Sequence, residues 1–585
     1  MKKLVKKTAA MVSAAALALS MAACGGSDSG DGGKSSDSGD DVVTLTIWNT
    51  EVTTPGVQTN EIAKYIEEKL GIRMEIIQGD AQKFSVLSAG GDLPDIIYTN
   101  PAQQNVSYNS LITSGQIIPL DDLIDEYGEN IKKNLPNRLE YSKKFASNGE
   151  DKIYYIPVLG YEEDAENPDI SYSIENLGLM VRWDVYKAVG CPEIETTDDF
   201  LNALKEMQDY ANENDLADGK QVYAISGWSD WGLWPWYLAN VREMGYLDVA
   251  NSTLINLETG DVEGAYESDA FWESLEFYNK AYNMGLIDPE AFTMKNDQFN
   301  EKCTNGQVLM TYASWESDYF NQDMASKGHE DWAFVKLPSD GYKYIYGITA
   351  TNAPLGYGNE YANAITTNCE NQEKAIQLLD FFNSEEGARL VYSGVEGVHW
   401  TNENGVVQPT EEYLENAKAD PDYKNSVGIN LYNKMCGYQA IQVLSDGYPA
   451  DLSKSNEQKA SNILPAEKDY CDYYGEQTGE TYEFPGQVLY GLEQNGEVTG
   501  LNNEHIYTNL VQAISEEAQN IVSQCDQYMN VQGVKAIMAA DEAEFESAKE
   551  EAMQGLENNN YSKATEEIKA AYEQAKADEE TFTLQ

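Results

Sequence analysis

Apolar and polar-tolerant positions alternate in VVTLTIW, Val42 to Trp48, the pattern of a half-buried strand. Asn60 to Leu70 instead places Ile62, Tyr65, Ile66 and Leu70 on one helical face, with Gly71 positioned to end the helix. Arg73 to Gln78 (RMEIIQ) reads as the next strand, so the pattern opens as strand, helix, strand, the unit of a parallel sheet covered by helices. It continues with a helix over Phe84 to Ala89, a short buried strand over Asp95 to Tyr98 and another strand over Ile153 to Val158. A helix capped by Thr197 then carries Phe200, Leu204, Met207 and Ala211 on one face. Further strands are predicted over Gln221 to Ser226 and Val308 to Ser314, and a helix around Ala375, Leu378, Leu379 and Phe382. From Asn502 the pattern is almost entirely helical, rich in Ala, Glu, Lys and Gln. The alternation predicts an α/β protein, and 585 residues exceed one ordinary core, which predicts two lobes.

The N-terminal stretch follows a different rule. MKKLVKK is a basic segment, Thr8 to Ala18 is apolar, and small residues lead to Cys24, so residues 1–23 read as a signal peptide too short to span a membrane stably. Ser20-Met21-Ala22-Ala23-Cys24 resembles a bacterial lipobox, with Met21 where leucine is usual. That resemblance implies cleavage before Cys24 and a lipid on its sulfur; the alternative is an ordinary cleavage site followed by an incidental cysteine. Residues 24–41 read as a flexible tether, because Gly25 to Asp41 contains no apolar side chain. Acylation through two or more chains, palmitate among them, would hold the mature chain on the outer face of the cell membrane.

Composition narrows the function. Hydrophobic residues at 42% and aromatics at 11% indicate a packed globular protein, and 39 tyrosines suit wet clefts and interfaces. The formal charge is −59, and the leader holds four lysines and no acid, so the mature chain stands at −63. Such a field repels phosphate backbones and excludes nucleic acid as a partner. The six cysteines after Cys24 form no CxxC pair, and only three histidines are present, so no metal site or cofactor is expected; disulfide pairing stays open.

Several ordered segments resemble family 1 extracellular solute-binding proteins, the lipid-anchored receptor subunits of sugar-importing ABC transporters. They are LTIWN in the first strand, KLGI, SAGGDLPDIIY (Ser88 to Tyr98), SGQIIPLDDLI (Ser114 to Ile124) and LMVRWDVYKAVG (Leu179 to Gly190). TTDDFLNALKEM (Thr196 to Met207), NGQVLMTYASW (Asn305 to Trp315) and GVEGVHW (Gly394 to Trp400) follow in the family's order. VQGVKAIMAADEAEFESAKEEAMQGL resembles the larger, oligosaccharide-binding members. The resemblance implies a two-lobed periplasmic-binding-protein-like fold of type II, with discontinuous lobes joined by hinge crossings. Those crossings are expected near Leu159 to Leu179, near Ala333 to Pro338 and after Trp400. One lobe then takes residues 42–176 and 338–405, and the other 177–337 and 406–585. The implied partners are a neutral oligosaccharide and membrane permease subunits, and a monomer is expected.

A pyranose presents an apolar face and a hydroxyl rim, so its receptor needs aromatic platforms edged by carboxylates and amides. GWSDWGLWPWY, Gly227 to Tyr237, concentrates four of the ten tryptophans, at spacings that cannot share one side of a helix or strand. The resemblance places a platform and polar ligands here, which selects Trp228 and Asp230 for the cleft, with Trp231 next. Pro235 suits a helix's first turn, which leaves Trp236 and Tyr237 to packing. Trp315 matches a second family platform position. Glu316 beside it, like Asp318, either accepts sugar hydroxyls or stands solvated. Asn49 and Glu51 follow the first strand, and Thr99 and Asn100 follow DIIY, where loops point into the crevice. Asp95 reads as structural, and His399 and Trp400 as lining the cleft floor. Trp48, Trp183, Trp272 and Trp332 read as packing residues.

Asn212 to Gly219 falls where some alginate-handling relatives carry a calcium loop, but the ligand order is broken, and a helix end followed by a turn is the better reading. Two other classes stay open. A glycan-active enzyme needs two carboxylates at a set separation, and among 98 acidic residues sequence cannot choose a pair. A receptor for a peptide or other non-sugar solute would also use a tryptophan-lined cleft.

Overall fold

A computed structural model describes residues 42–50, 52–99, 108–158, 177–338, 344–346, 362–420, 422–501, 507–512 and 514–581. The signal peptide, the tether, Cys24, Glu51 and Asn100 lie outside the described residues.

The first lobe opens with β1 (Val43–Trp48), β2 (Gly56–Val57) and β3 (Ile72–Ile77). β1 and β3 run parallel, from Val43 opposite Ile72 to Trp48 opposite Ile77, because the helix Glu61–Leu70 carries the chain back between them. That helix begins where the Asn60 side chain accepts the Ala63 N–H at 2.9 Å and ends at Gly71, whose φ of 67° suits a residue without Cβ. β4 (Ile96–Thr99) joins β1 in parallel. Asp95 Oδ2 accepts hydrogen bonds from Thr46 N at 2.8 Å and Thr46 Oγ1 at 2.7 Å, so this carboxylate pins β4 to β1, the structural part expected of it. The strand predicted over Ile153 to Val158 shrinks to β5 (Ile156–Pro157). Pro157 has no N–H to extend the ladder, and the Ile153 backbone is taken by Asp121 Oδ2 and Leu120 N.

The second lobe starts at β6 (Leu177–Arg182). The helix Thr197–Glu213 is capped by Thr196, one residue before the expected position: Thr196 Oγ1 accepts Asp199 N–H while Asp199 accepts Thr196 N–H at 3.0 Å. Asp199 stands three residues after Thr196, and this reciprocal capping box decides the start. The helix ends in a turn where Asp218 and Gly219 take positive φ, and the Asn212 side chain bonds the Val222 backbone in both directions. The strand expected over Gln221 to Ser226 therefore makes only isolated bridges, Tyr223 to Val308 and Ile225 to Ile287, because Asn212 and Gln208 side chains occupy the Val222 and Ala224 amides. β7 (Tyr246–Val249), β8 (Thr253–Asn256) and β9 (Val262–Gly264) form an antiparallel meander. β10 (Met310–Ala313) is shorter than predicted, since Ser314 already begins the helix Ser314–Ser326. β11 (Phe334–Lys336) completes a three-stranded sheet in the order β10, β6, β11, and β12 (Tyr344–Tyr346) follows.

The chain then returns to the first sheet through β13 (Ala362–Ile365), which runs antiparallel between β4 and β5 and completes the order β2, β3, β1, β4, β13, β5. Ala375, Leu378, Leu379 and Phe382 are buried on the helix Gln372–Phe382, as their spacing predicts. After the hairpin β14 (Trp400–Glu403) and β15 (Val406–Pro409), the structure departs from the expected division at residue 405. Tyr413, Ile429, Tyr432, Met435, Cys436 and Tyr438 pack into the first lobe's core with Leu45, Ile62 and Ile76. Tyr432 Oη donates to Gln58 and receives the Asn60 amide at 2.7 Å, so residues 413–450 belong with the first lobe. Ala466 and Tyr470 are in the second core, which places the last passage between Ala450 and Ala466. β16 (Thr499–Leu501) pairs in parallel with β12. The helices Glu516–Ile537, Glu542–Asn558 and Tyr561–Thr581 close the chain as the sequence predicts. All six described cysteines are free thiols, and no described helix is long and apolar enough to cross a membrane.

Candidate functional site

The GWSDWGLWPWY segment folds as a turn whose shape follows from its glycines. A Cβ on Gly227 would stand 2.6 Å from the Trp236 ring, so only glycine lets that indole lie beneath the turn. Trp236 is buried, with Tyr278 and Phe292 ring centroids at 5.1 and 4.6 Å, and Tyr237 is buried as well. Pro235 sits in the short 3-10 helix Trp234–Trp236. Gly232 has φ of 61°, and a Cβ there would meet Asn530 Oδ1 at 2.4 Å. That oxygen accepts the Leu233 N–H at 3.0 Å, so the helix Glu516–Ile537 grips the turn from its far side.

Trp228, the first choice for an exposed platform, is only 1% exposed. The turn folds Trp231 across it at 5.2 Å, and Phe299 at 4.7 Å and Tyr312 at 5.8 Å enclose the rest. Trp231 is the ring left open, at 47% exposure, with Trp234 edge-on at 5.3 Å. Asp230 receives Lys295 Nζ at 2.6 Å and Asn296 N at 2.9 Å. These bonds hold its carboxyl below the usual carboxylate range and anchor the turn to the helix Asn296–Thr304.

Beside Trp231 lies a groove of about 550 Å3. The turn supplies Trp231 and Trp234, the β7–β8 hairpin supplies Asp248 and Ser252, and the helix Glu516–Ile537 supplies Gln519, Asp526 and Asn530. Asp248 accepts Trp234 Nε1 at 3.1 Å and Arg242 Nε at 2.7 Å. Asp526 Oδ1 accepts Ser252 Oγ at 2.6 Å and Tyr266 Oη at 2.7 Å. Burial, and then the charge of Asp526, push the Tyr266 hydroxyl well above its ordinary value, which keeps it a donor. The groove thus combines an open aromatic face with fixed carboxylates and amides, the chemistry that recognises hydroxylated rings. The wall formed by the helix Glu516–Ile537 was not singled out from sequence. The spacing Gln519, Ser523, Asp526, Asn530 does put four polar side chains on one helical stripe, and that was the available signal.

The other expected residues are distributed elsewhere. Asn49 is fully buried and accepts Val52 N–H at 3.3 Å, closing the turn after β1. Thr99 ends β4 and Trp315 lies in the first turn of the helix Ser314–Ser326, but their side chains are outside the described residues. Glu316 is buried and accepts Thr311 Oγ1 at 3.0 Å, and burial pushes its carboxyl up to about 7. His399 and Trp400 pack in the first lobe, apart from the Trp231 groove. His399 Nδ1 accepts Val395 N–H at 2.9 Å, its Nε2 lies 3.5 Å from Glu61, and burial lowers its basicity. Trp400 Nε1 donates to Gly394 O at 2.8 Å, with the Arg389 guanidinium 5.3 Å from its ring. Trp48, Trp183 and Trp272 are buried, in keeping with packing roles.

The comparisons agree with this architecture. The chain is 26% identical over 323 residues to the fructooligosaccharide ABC transporter substrate-binding protein FusA of Streptococcus pneumoniae, covering 54% of this chain and 56% of that one. It is 22% identical over 349 residues to the lipoprotein LipO of Bacillus subtilis, covering 56% and 61% respectively, so it aligns with little more than half the length of either relative. The solved structure of the S. pneumoniae protein FusA in complex with kestose superimposes with a TM-score of 0.58 at 19% identity, covering 92% of this chain and 100% of that chain, which establishes the shared two-lobed fold. A family model described as bacterial extracellular solute-binding protein matches residues 52–389, more than half of the sequence. The chain belongs to the bacterial extracellular solute-binding protein family, a family of binding proteins rather than enzymes.

Proposed function

We propose that the chain is the extracytoplasmic receptor of an ABC importer, tethered through lipid on Cys24, that captures a neutral oligosaccharide between its lobes and delivers it to membrane permease subunits as a monomer. The observation that carries this reading is the open face of Trp231 over a groove edged by Asp526, Asn530 and Gln519. A sugar covers such a ring reversibly, whereas a ring that serves packing alone is covered by the protein, as Trp228 is. The relatives, a fructooligosaccharide ABC transporter substrate-binding protein and a lipoprotein, support the ligand class and the anchor. Trp315, Glu51, Thr99 and Asn100 remain proposed contacts on family grounds. The enclosure of Trp228, Asn49, Glu316 and His399 favours supporting parts for them, and Asp230 holds the turn.

Capture proceeds as a population shift: a ligand that touches both lobes favours the closed form by its differential binding energy, and the permease reads that form. The test is titration by tryptophan fluorescence and calorimetry against gluco-, manno-, xylo-, galacto- and fructo-oligosaccharides. Micromolar or tighter binding to at least one series is expected, and Trp231→Ala weakens it by about 1 to 3 kcal/mol. Steady product release from any of these sugars, or competition by peptides but not sugars, would sink the reading.

A further inference from the structure

Three carboxylates, Asp230, Asp248 and Asp526, line the groove beside Trp231, and none of its described lining residues is basic. Two of the three charges are cancelled from behind. Asp230 is paired with Lys295, and Asp248 with Arg242. Asp526 is different. Its Oδ1 is fixed by two neutral donors, Ser252 Oγ and Tyr266 Oη, which set its direction and leave its charge intact. Among the described residues its Oδ2 accepts no hydrogen bond and Asp526 has no ion-pair partner.

A carboxylate held this way has two consequences for a ligand. Its unused oxygen accepts hydroxyl donors, and hydrogen bonds to a charged acceptor are roughly twice as strong as neutral ones. The same charge meets an acidic ligand without an intervening cation, and like-charge juxtaposition in a partly desolvated site is among the strongest means of rejecting a wrong partner. The formal charge of −59 also repels anions, but that long-range field fades with salt, whereas a charge at the groove wall acts at contact distance.

We infer that Asp526 is a specificity-determining residue of this groove, selecting neutral oligosaccharides by accepting their hydroxyls and rejecting chains whose sugars carry carboxylates. The inference rests on the sugar-receptor reading above and adds to it the residue that sets the ligand's charge.

The test uses a matched pair of probes. One is the tightest neutral binder from a screen of gluco-, manno-, galacto- and fructo-oligosaccharides; the other is the same chain with its C6 hydroxymethyl groups oxidised to carboxylates. Titrations run in about 1 M salt, where the Debye length is about 3 Å and the overall field is screened. The full-length protein is expected to prefer the neutral probe by about tenfold or more, and Asp526→Asn to bring the two within about threefold, chiefly by gaining affinity for the oxidised probe. Asp526→Ser gives the same direction and guards against one variant folding poorly, with melting temperature and near-ultraviolet dichroism as the fold check. A ratio near one in the unaltered protein overturns the inference without any variant. If Asp526→Asn keeps the original ratio while Trp231→Ala weakens both probes, the inference fails and the receptor reading stands. If no sugar in the screen binds, both fail.

Discussion

Glu316 is a carboxylate whose setting is at odds with its chemistry. It is 7% exposed at the start of the helix Ser314–Ser326, with Thr311 Oγ1 as its hydrogen-bond donor. Burial raises its carboxyl from 4.5 to about 7. A group whose folded pKa lies above its unfolded one contributes stability that is fully present below the unfolded value and is lost as pH rises through the folded value. Glu316 therefore favours the folded state most below about pH 4.5, and the contribution falls away up to about pH 7, by roughly 3 kcal/mol if the full shift is realised. Glu316→Gln keeps the shape and the Thr311 contact and removes the titration. Urea unfolding of the two proteins should agree near pH 4.5, with the variant about 2 to 3 kcal/mol more stable at pH 8. Equal stabilities at pH 8 would show that burial does not raise the Glu316 carboxyl above its ordinary range.

The Trp turn and the helix Glu516–Ile537 act as one element pair. Gly232 at φ 61° leaves room for Asn530, whose Oδ1 takes the Leu233 N–H, while Gly533 leaves room for the Leu233 side chain, since a Cβ there would lie 2.4 Å from Leu233 Cδ1. Gly232→Ala adds the cost of left-handed backbone and a clash with Asn530, together about 2 kcal/mol, and disturbs the seat of Trp231. Asn530→Ala alone loses one hydrogen bond, about 1 kcal/mol. Combining them relieves the clash, so the double variant should be more stable than the sum of the singles predicts, by about 0.5 kcal/mol or more in urea unfolding. Additive costs would mean that turn and helix are not coupled. This pair also marks where sequence reading stops. Long periodic segments such as Glu61–Leu70, Gln372–Phe382 and the three C-terminal helices were legible because burial imposes a period on them. The meander Tyr246 to Gly264 was not, since strands of three or four residues are too short to show alternation. The attachment of residues 413–450 to the first lobe rests on contacts such as Tyr432 to Gln58 across 374 positions. The same limit reversed the order of Trp228 and Trp231: both are tryptophans beside small residues, and only the fold of Ser229 to Gly232, fixed partly from Asn530, decides which ring is covered.

At the scale of the whole molecule, the chain crossings are not the lobes' only connection. The helix Pro136–Phe145 packs Leu139 into the first lobe's core, while Tyr141, 1% exposed, enters a separate cluster with Leu247, Ile255, Tyr507, Ile568 and Tyr572, and Phe145 packs against it. Lys144 Nζ stands 3.9 Å from Asp578 at the edge of this cluster. A hinge motion that parts the lobes on this side must uncover Tyr141, and exposing a buried ring of this size to water costs about 1.5 to 3 kcal/mol. That energy favours the form in which the lobes touch. A ligand that binds this form gains apparent affinity when its population is already high, because less of the binding energy goes into closing. Replacing both rings, Tyr141→Ala with Phe145→Ala, should therefore shift the unliganded protein toward open lobes and weaken oligosaccharide binding about ten- to hundredfold, although neither residue lines the Trp231 groove. Small-angle scattering reads the first effect as a larger radius of gyration without ligand that contracts on saturation; calorimetry reads the second. An unchanged scattering profile would mean that Tyr141 contributes to folding alone. Unchanged affinity alongside a shifted profile would mean that the ligand does not distinguish the two forms, and capture by closure would then fail as the account of how this receptor works.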